Sequence, residues 1–217
     1  MAERDAIDSA NAPSSLGKGL MLPHLVLHDF LDAETVAGLL DFAAAHEADF
    51  YSTKVRSGRV NPAMRVSKGI RELGQYRALL KAKIIDTLPM LVTRLRVNAV
   101  DEPGVELELV AHGDGAFYKR HIDTQTASER ERIRVVSGVY YFHAQPKAFT
   151  GGALRLYAVG GAGDAFIDVA PQHNSLLVFP SWAPHEVMPV SCPSQRFIDS
   201  RFAINCWVRR KKLGTAA

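Results

Sequence analysis

VELELVAHGDGAFYKRHID, residues 105–123, reads as two short strands, 105–111 and 116–123, parted by Gly113-Asp114-Gly115. Short apolar, β-branched runs punctuated by glycine turns are the mark of strand-rich structure. The same texture continues along the chain in RVVSGVYYF (134–142), ALRLYAV (153–159), AFIDVAP (165–171), SLLVFP (175–180) and RFAINCWVR (201–209). Gly151-Gly152 and Gly160 to Gly163 supply further turns. A series of this kind predicts a barrel or a two-sheet sandwich, with any helices packed outside it.

Towards the start of the chain the pattern changes. LPHLVLHDFL (22–31) reads as a strand, and Asp32 is a good N-cap for a helix over 33–48, where Val36, Leu39, Leu40 and Ala43 keep helical spacing. RELGQYRALLKAKIIDTLPMLVTRL (71–95) is a second helical region, expected to break near Pro89 because proline removes a donor and crowds the preceding turn. Residues 1–19 read as a flexible leader. The expected organisation is one domain over 20–212, with helical support in 20–100 and the β core in 101–210. The segment 51–73, rich in Arg, Lys, Ser and Gly, has two readings: a lid over a pocket, or a solvated connector.

Composition sets the outer bounds. The 217 residues, 47% hydrophobic, suffice for one domain with a sizeable core. There is no apolar run long enough for a membrane helix and no secretory-signal pattern at Met1, so the expectation is a cytoplasmic protein without a membrane partner. Two cysteines, Cys192 and Cys206, read more plainly as thiols than as one disulfide. The formal charge is only +3, and the basic run Arg209 to Lys212 reads as a solvated tail rather than a nucleic-acid contact. No glycine-rich phosphate loop is present.

The chemistry gathers around His121-Ile122-Asp123. Side chains two apart on a strand face the same way, so His121 and Asp123 would offer one nitrogen and one oxygen from a rigid element. The best third ligand is His185, just past a hydrophobic strand. Two histidines and one carboxylate on one face of an octahedral metal leave open positions, the arrangement suited to non-haem Fe(II). Zinc competes for the same set, in a hydrolase, although Glu186 would point away from the histidines on an extended strand. In RFAINCWVRR, Arg201, Ala203, Asn205 and Trp207 share one strand face, which is odd for a core and sensible for a pocket wall where Arg201 grips a carboxylate. Tyr141 shares a face with Val139, and its hydroxyl suits an anion.

Taken in order, His121-x-Asp123, His185-Glu-Val-x-Pro-Val190 and Arg201-Phe-Ala-Ile-Asn-x-Trp207 resemble the Fe(II)/2-oxoglutarate-dependent dioxygenases of the prolyl hydroxylase-like branch, over roughly 22–210. The resemblance implies a mainly β fold with flanking helices, a double-stranded β-helix or jelly roll. It implies Fe(II) held by His121, Asp123 and His185, with 2-oxoglutarate as cosubstrate and dioxygen and L-ascorbate as partners of turnover. Arg201 and Tyr141 match the residues that hold the far carboxylate of 2-oxoglutarate, and Leu154, in Gly151-Gly152-Ala153-Leu154, lines the same pocket. Tyr118, Trp207 and Asn205 are expected in the substrate pocket, joined by Arg56 and Arg65 if the 51–73 segment is a lid. His185 and Arg201 are sixteen positions apart, a longer interval than relatives often show, which leaves Arg196 as a rival anion binder. The implied activity is hydroxylation of an unactivated C–H bond, first of a prolyl residue in a peptide or protein. A free amino acid or small metabolite as substrate, and a non-enzymatic jelly-roll binding module, are the alternatives.

Overall fold

The computed structural model describes residues 19–55, 58–124, 131–160 and 165–211. In chain order the elements are β1 (Leu25–His28), α1 (Ala33–Ala45), β2 (Tyr51–Ser52), β3 (Arg65–Val66), β4 (Lys68–Ile70), α2 (Tyr76–Leu95), β5 (Gly104–His112), β6 (Phe117–His121) and β7 (Arg132–Phe142). They continue with β8 (Thr150–Gly151), β9 (Leu154–Tyr157), β10 (Phe166–Val169), β11 (Ser175–Pro180), β12 (His185–Val187), β13 (Val190–Ser191) and β14 (Arg201–Lys211). A seven-stranded sheet runs β1-β11-β7-β14-β5-β4-β2, and a five-stranded sheet runs β10-β9-β12-β6-β3. β8 and β13 form a small separate pair. These two sheets with flanking helices make the β-rich jelly-roll core expected from the sequence.

Strict alternation explains why the long strands have two buried faces. On β7 and β14, Tyr140, Phe142, Phe202, Ile204 and Cys206 point to a core shared with the helices. Val139, Tyr141 and Ala203 point the other way, into the space between the sheets, where they meet Leu177, Phe179, Leu154 and Leu156. The face that would look strange in a core is therefore the inner wall of the jelly roll, and its partner face is the helix-covered core.

The helices cover the outer side of the large sheet. Asp32 caps α1, its carboxylate accepting from the Thr35 amide at 2.7 Å and the Thr35 hydroxyl at 2.7 Å. α1 ends at Ala45, followed by a 3-10 turn over Glu47–Asp49, rather than running to residue 48. α2 does not break at Pro89: it is one helix, Tyr76–Leu95, with proline inside. Leu80, Ile84, Leu88, Leu91 and Leu95 form a continuous buried stripe that holds both halves against the sheet. The hydrogen bond that Pro89 cannot make falls to Ile85, on the exposed side.

Other limits also differ from the sequence reading. The first strand is only Leu25–His28, and β6 ends at His121, two residues short of Asp123. The segment 51–73 is built into the sheets: β4 pairs with β5, β2 with β4, and β3 with β6. The basic run is not a tail up to Lys211, because Arg209 to Lys211 belong to β14 and pair with β7. Arg209 binds Glu106, and Lys211 lies 2.9 Å from Glu102. Both cysteines are free thiols and buried. The leader up to residue 18, Arg56 and Lys212 lie outside the described residues.

Candidate metal centre

β6 and β12 are neighbours in the smaller sheet, and their register sets His121 opposite His185. The two rings therefore stand side by side, with centroids 4.2 Å apart. Asp123 reaches them from the turn after β6 rather than from the strand itself. That turn is pinned by Ser181 O, which accepts from the Asp123 and Thr124 amides at 2.9 and 3.0 Å. His121 Nε2 is 3.9 Å from Asp123 Oδ1, and His185 Nε2 is 3.7 Å from Asp123 Oδ2. One donor atom from each of the three lies within 4.8 Å of the others, and no other such group occurs among the described residues.

The surroundings prepare these atoms as ligands. His121 Nδ1 donates to Lys119 O at 2.8 Å, and His185 Nδ1 donates to Ala183 O at 2.9 Å. A carbonyl only accepts, so each Nδ1 carries a proton and each Nε2 is the ring nitrogen turned to the other two ligands. Burial, then the nearby His185, pushes the His121 imidazole down to about 3, which keeps it neutral and able to ligate. Burial alone would raise the Asp123 carboxyl, but the two histidines, the Ser137 hydrogen bond and Arg134 outweigh it and hold it below the ordinary value. Asp123 Oδ2 accepts from Ser137 Oγ at 2.7 Å and from Trp207 Nε1 at 2.8 Å. Oδ1 receives neither of these bonds.

Behind the triad is a narrow space of about 40 Å³, walled by Leu154, Val139, Asn205, His112 and Arg201. Arg201 is 1% exposed. Its Nε donates to Gly152 O at 2.7 Å and its Nη1 to His112 Nδ1 at 3.2 Å, while Nη2 is buried with no partner. Tyr141 lies with its ring 4.7 Å from the guanidinium carbon, and its buried hydroxyl is also without a partner. Gly152 is required here. It has φ +68°, and a Cβ would stand 2.6 Å from Arg201 Cδ and 2.8 Å from Val190 Cγ2. Arg196, the rival of Arg201, points elsewhere: its side chain is 69% exposed and pairs with Asp199 at 2.9 Å.

In front of the triad a larger cavity of about 660 Å³ opens to solvent. Tyr118 lines it and stacks on His121 at a centroid distance of 3.6 Å. Arg65 lines it too, over the Tyr118 ring at 4.8 Å, and lies 3.6 Å from Glu108. Arg71 donates to the same Glu108 at 3.2 Å, and Arg134 donates to Glu106 through Nε at 3.1 Å. Trp207 borders both spaces, with Arg134 stacked 3.8 Å over its ring, but its N–H is committed to Asp123. Tyr51, Ser52, Lys54 and Val55 complete the near wall, so part of the 51–73 segment borders the mouth. Glu186 lies on the other strand face, accepting from Tyr157 Oη at 2.7 Å.

Ser137, Ser181 and the Glu106–Glu108 pair were not singled out as site residues by the sequence. A signal existed for Ser137: it shares its strand face with Val139 and Tyr141, so a hydroxyl sits on an inner wall otherwise aromatic or aliphatic.

Comparison with known proteins agrees with this arrangement. The sequence profile described as the 2OG-Fe(II) oxygenase superfamily matches residues 107–209. An uncharacterized PKHD-type hydroxylase of Synechocystis sp. is 40% identical over 140 residues, which is 62% of this chain and 46% of that protein. The match thus spans about half the length of that curated relative. Among solved structures, a Pseudomonas putida prolyl-4-hydroxylase is similar with a TM-score of 0.64 and 25% identity, over 87% of this chain and 94% of the other. A Trichoplax adhaerens prolyl hydroxylase, solved with a hypoxia inducible factor peptide fragment, shares the fold with a TM-score of 0.66 and 21% identity, over 86% and 83% of the two chains. Residues 107–209, which carry the His121–Asp123–His185 facial triad in a jelly roll, are thus similar to the 2OG-Fe(II) oxygenase superfamily.

Proposed function

We propose that the protein is an Fe(II)- and 2-oxoglutarate-dependent dioxygenase that hydroxylates a prolyl residue in a peptide or protein. The observation that carries this reading is the pairing of two donor sets. Two histidine Nε2 atoms and one carboxylate oxygen converge in front, and a buried Arg201 Nη2 with a buried Tyr141 hydroxyl stand without partners behind. Buried polar atoms left unpaired are costly, so a pair of donors in one recess is a site awaiting an acceptor. The residues present fit both groups. Three N/O donors on one side of a metal match Fe(II), and a cation with a hydroxyl matches the far carboxylate of a 2-oxo diacid.

Bound Fe(II) with 2-oxoglutarate supplies the oxidising chemistry, coupling decarboxylation of the cosubstrate to succinate with insertion of one oxygen atom of dioxygen into a C–H bond. In this reading the chain's own residues bind, orient and exclude. His121, Asp123 and His185 hold the metal, and Arg201 and Tyr141 hold the C5 carboxylate. Leu154 and Val139 narrow the cosubstrate space. Tyr118, Arg65 and Trp207 wall the substrate side, with Asn205 near the boundary. L-Ascorbate is proposed as the reductant that rescues turnovers without substrate. The two free cysteines accord with a proposed cytoplasmic location.

A prolyl peptide is preferred because the two structural relatives above are prolyl hydroxylases, and because an open cavity of about 660 Å³ with donors and acceptors of both signs suits a polypeptide backbone. A free amino acid or small metabolite is the second reading. The test begins with metal-free protein under anaerobic conditions, to which Fe(II) and then 2-oxoglutarate are added. A weak visible charge-transfer band needing both additions, lost in Asp123→Ala and weakened in Arg201→Ala, is expected. No band from folded, iron-bound wild type would overturn the proposal in favour of a hydrolytic metal site or a binding module. Succinate release with proline-containing peptides, against free amino acids, then separates the two substrate readings.

A further inference from the structure

We infer that His112 is a positioning residue for the cosubstrate: its Nδ1 fixes the plane of the Arg201 guanidinium and so aims Nη2 at the carboxylate to be bound. The inference rests on the cosubstrate reading of the Arg201 recess given above.

The geometry comes from strand pairing. β5 and β14 lie side by side, and their register sets His112 opposite Arg201. Both side chains turn into the narrow space behind the triad, where His112 is 4% exposed. An arginine has no acceptor, so the 3.2 Å contact between Nη1 and His112 Nδ1 has one sense: nitrogen donates to an unprotonated Nδ1. The imidazole proton is therefore on Nε2.

The donors of Arg201 are divided between holding and binding. Nε is held by Gly152 O, and that single bond leaves the guanidinium plane free to swivel about the N–H···O axis. A second bond, from Nη1 to His112, removes the freedom. What remains is Nη2, buried, unpartnered and beside the unpartnered Tyr141 hydroxyl. Two fixed donors in a dry recess meet their ordering cost before the ligand arrives, which is how preorganisation raises affinity.

The imidazole also suits the place electrically. Burial, then the charges of Arg201 and Arg65, holds it well below the ordinary histidine value, so it presents a neutral acceptor rather than a second cation. An acidic side chain there would neutralise Arg201 and compete with the incoming carboxylate. A neutral acceptor orients the guanidinium and leaves its charge for the ligand.

The experiment uses the full chain loaded with Mn(II), an inert substitute for iron, and measures 2-oxoglutarate affinity by calorimetry. Three variants are compared: His112→Phe keeps ring volume and removes the acceptor, His112→Asn restores an acceptor near the position of Nδ1, and Arg201→Ala marks complete loss. His112→Phe is expected to weaken 2-oxoglutarate at least tenfold while Mn(II) affinity stays within twofold of wild type. His112→Asn is expected to recover most of the loss, to within about threefold of wild type. Unchanged affinity in His112→Phe would overturn the inference. An Asn variant as weak as Phe would also overturn it, since loss would then follow from packing. If wild type itself failed to bind 2-oxoglutarate, the cosubstrate reading would fall, an outcome distinct from either of the others.

Discussion

A carboxylate serves as a single-oxygen metal ligand when its other oxygen is already engaged, and Asp123 is arranged that way. Ser137 Oγ and Trp207 Nε1 both donate to Oδ2, while the Ser137 hydroxyl is also 2.9 Å from Ser181 Oγ. Outer partners of this kind typically govern metal affinity by about 10–100-fold. Trp207→Phe, which keeps an aromatic face under Arg134 but removes the N–H, is expected to weaken Mn(II) binding by about tenfold or more in a calorimetric titration. Ser137→Ala is expected to do the same; unchanged affinity in both would show that the ligand geometry does not depend on them. Gly152 is the other sharp residue. Gly152→Ala brings a methyl into Arg201 and Val190 at a positive φ, so it is expected to lower stability by about 1–3 kcal/mol and to weaken 2-oxoglutarate more than metal. The triad itself was legible in the sequence because His121 and Asp123 stand only two residues apart, although Asp123 comes from the turn after β6 and not from the strand period first invoked. Ser137 was not, because its role arises only from what other strands place opposite it.

At the level of elements, β14 shows how far alternation carries. Its two faces can be assigned from the RFAINCWV pattern alone, since Phe202, Ile204, Cys206 and Val208 suit only a core while Arg201 and Trp207 need a pocket. Cys206 follows from that assignment. Burial pushes its thiol up to about 12, so iodoacetamide at pH 8 is expected to leave both Cys206 and the buried Cys192 unmodified in the native protein and to alkylate both in urea, as read by mass spectrometry. Elements whose existence depends on partners were less legible. β2, β3, β8 and β13 have two residues each, too few for any period, and form only because a neighbouring strand offers its edge. Pro89 misled for a related reason: local chemistry predicts a break, while the leucine stripe on both sides of it packs against the sheet and wins. The bend before β11 is a further case. Asn174, at φ +54°, accepts from Leu31 N at 3.0 Å and Tyr140 Oη at 2.9 Å, and donates to Leu31 O at 2.8 Å. It ties the start of β11 to the entry of α1. Asn174→Ala is expected to cost about 2–4 kcal/mol in urea unfolding, given three lost bonds and stranded partners, with metal affinity unchanged.

The whole molecule couples the catalytic space to the helices through one sheet. β5, β7, β11 and β14 carry the inner wall on one face and the helix-packed core on the other, so Arg201, Tyr141 and His112 each have a chain neighbour (Phe202, Tyr140 and Ala111) in the core shared with the helices. The sequence division into helical support and jelly roll describes two regions that share a core, and removing the helices would bare Leu107, Leu109, Tyr140, Phe142 and Ile204 together. The protein is therefore expected to unfold as one unit. Leu91, 1% exposed on α2 and remote from the metal ligands in sequence, provides the test. Leu91→Ala is expected to lower stability by about 2–5 kcal/mol through the cavity it leaves. In a urea titration of the Mn(II)-loaded variant, far-ultraviolet circular dichroism and retained metal should then fall together at one lowered midpoint. Metal loss at a clearly lower urea concentration than helix loss would instead mean that the jelly roll opens separately, and that the shared core does not bind the two regions into one cooperative structure.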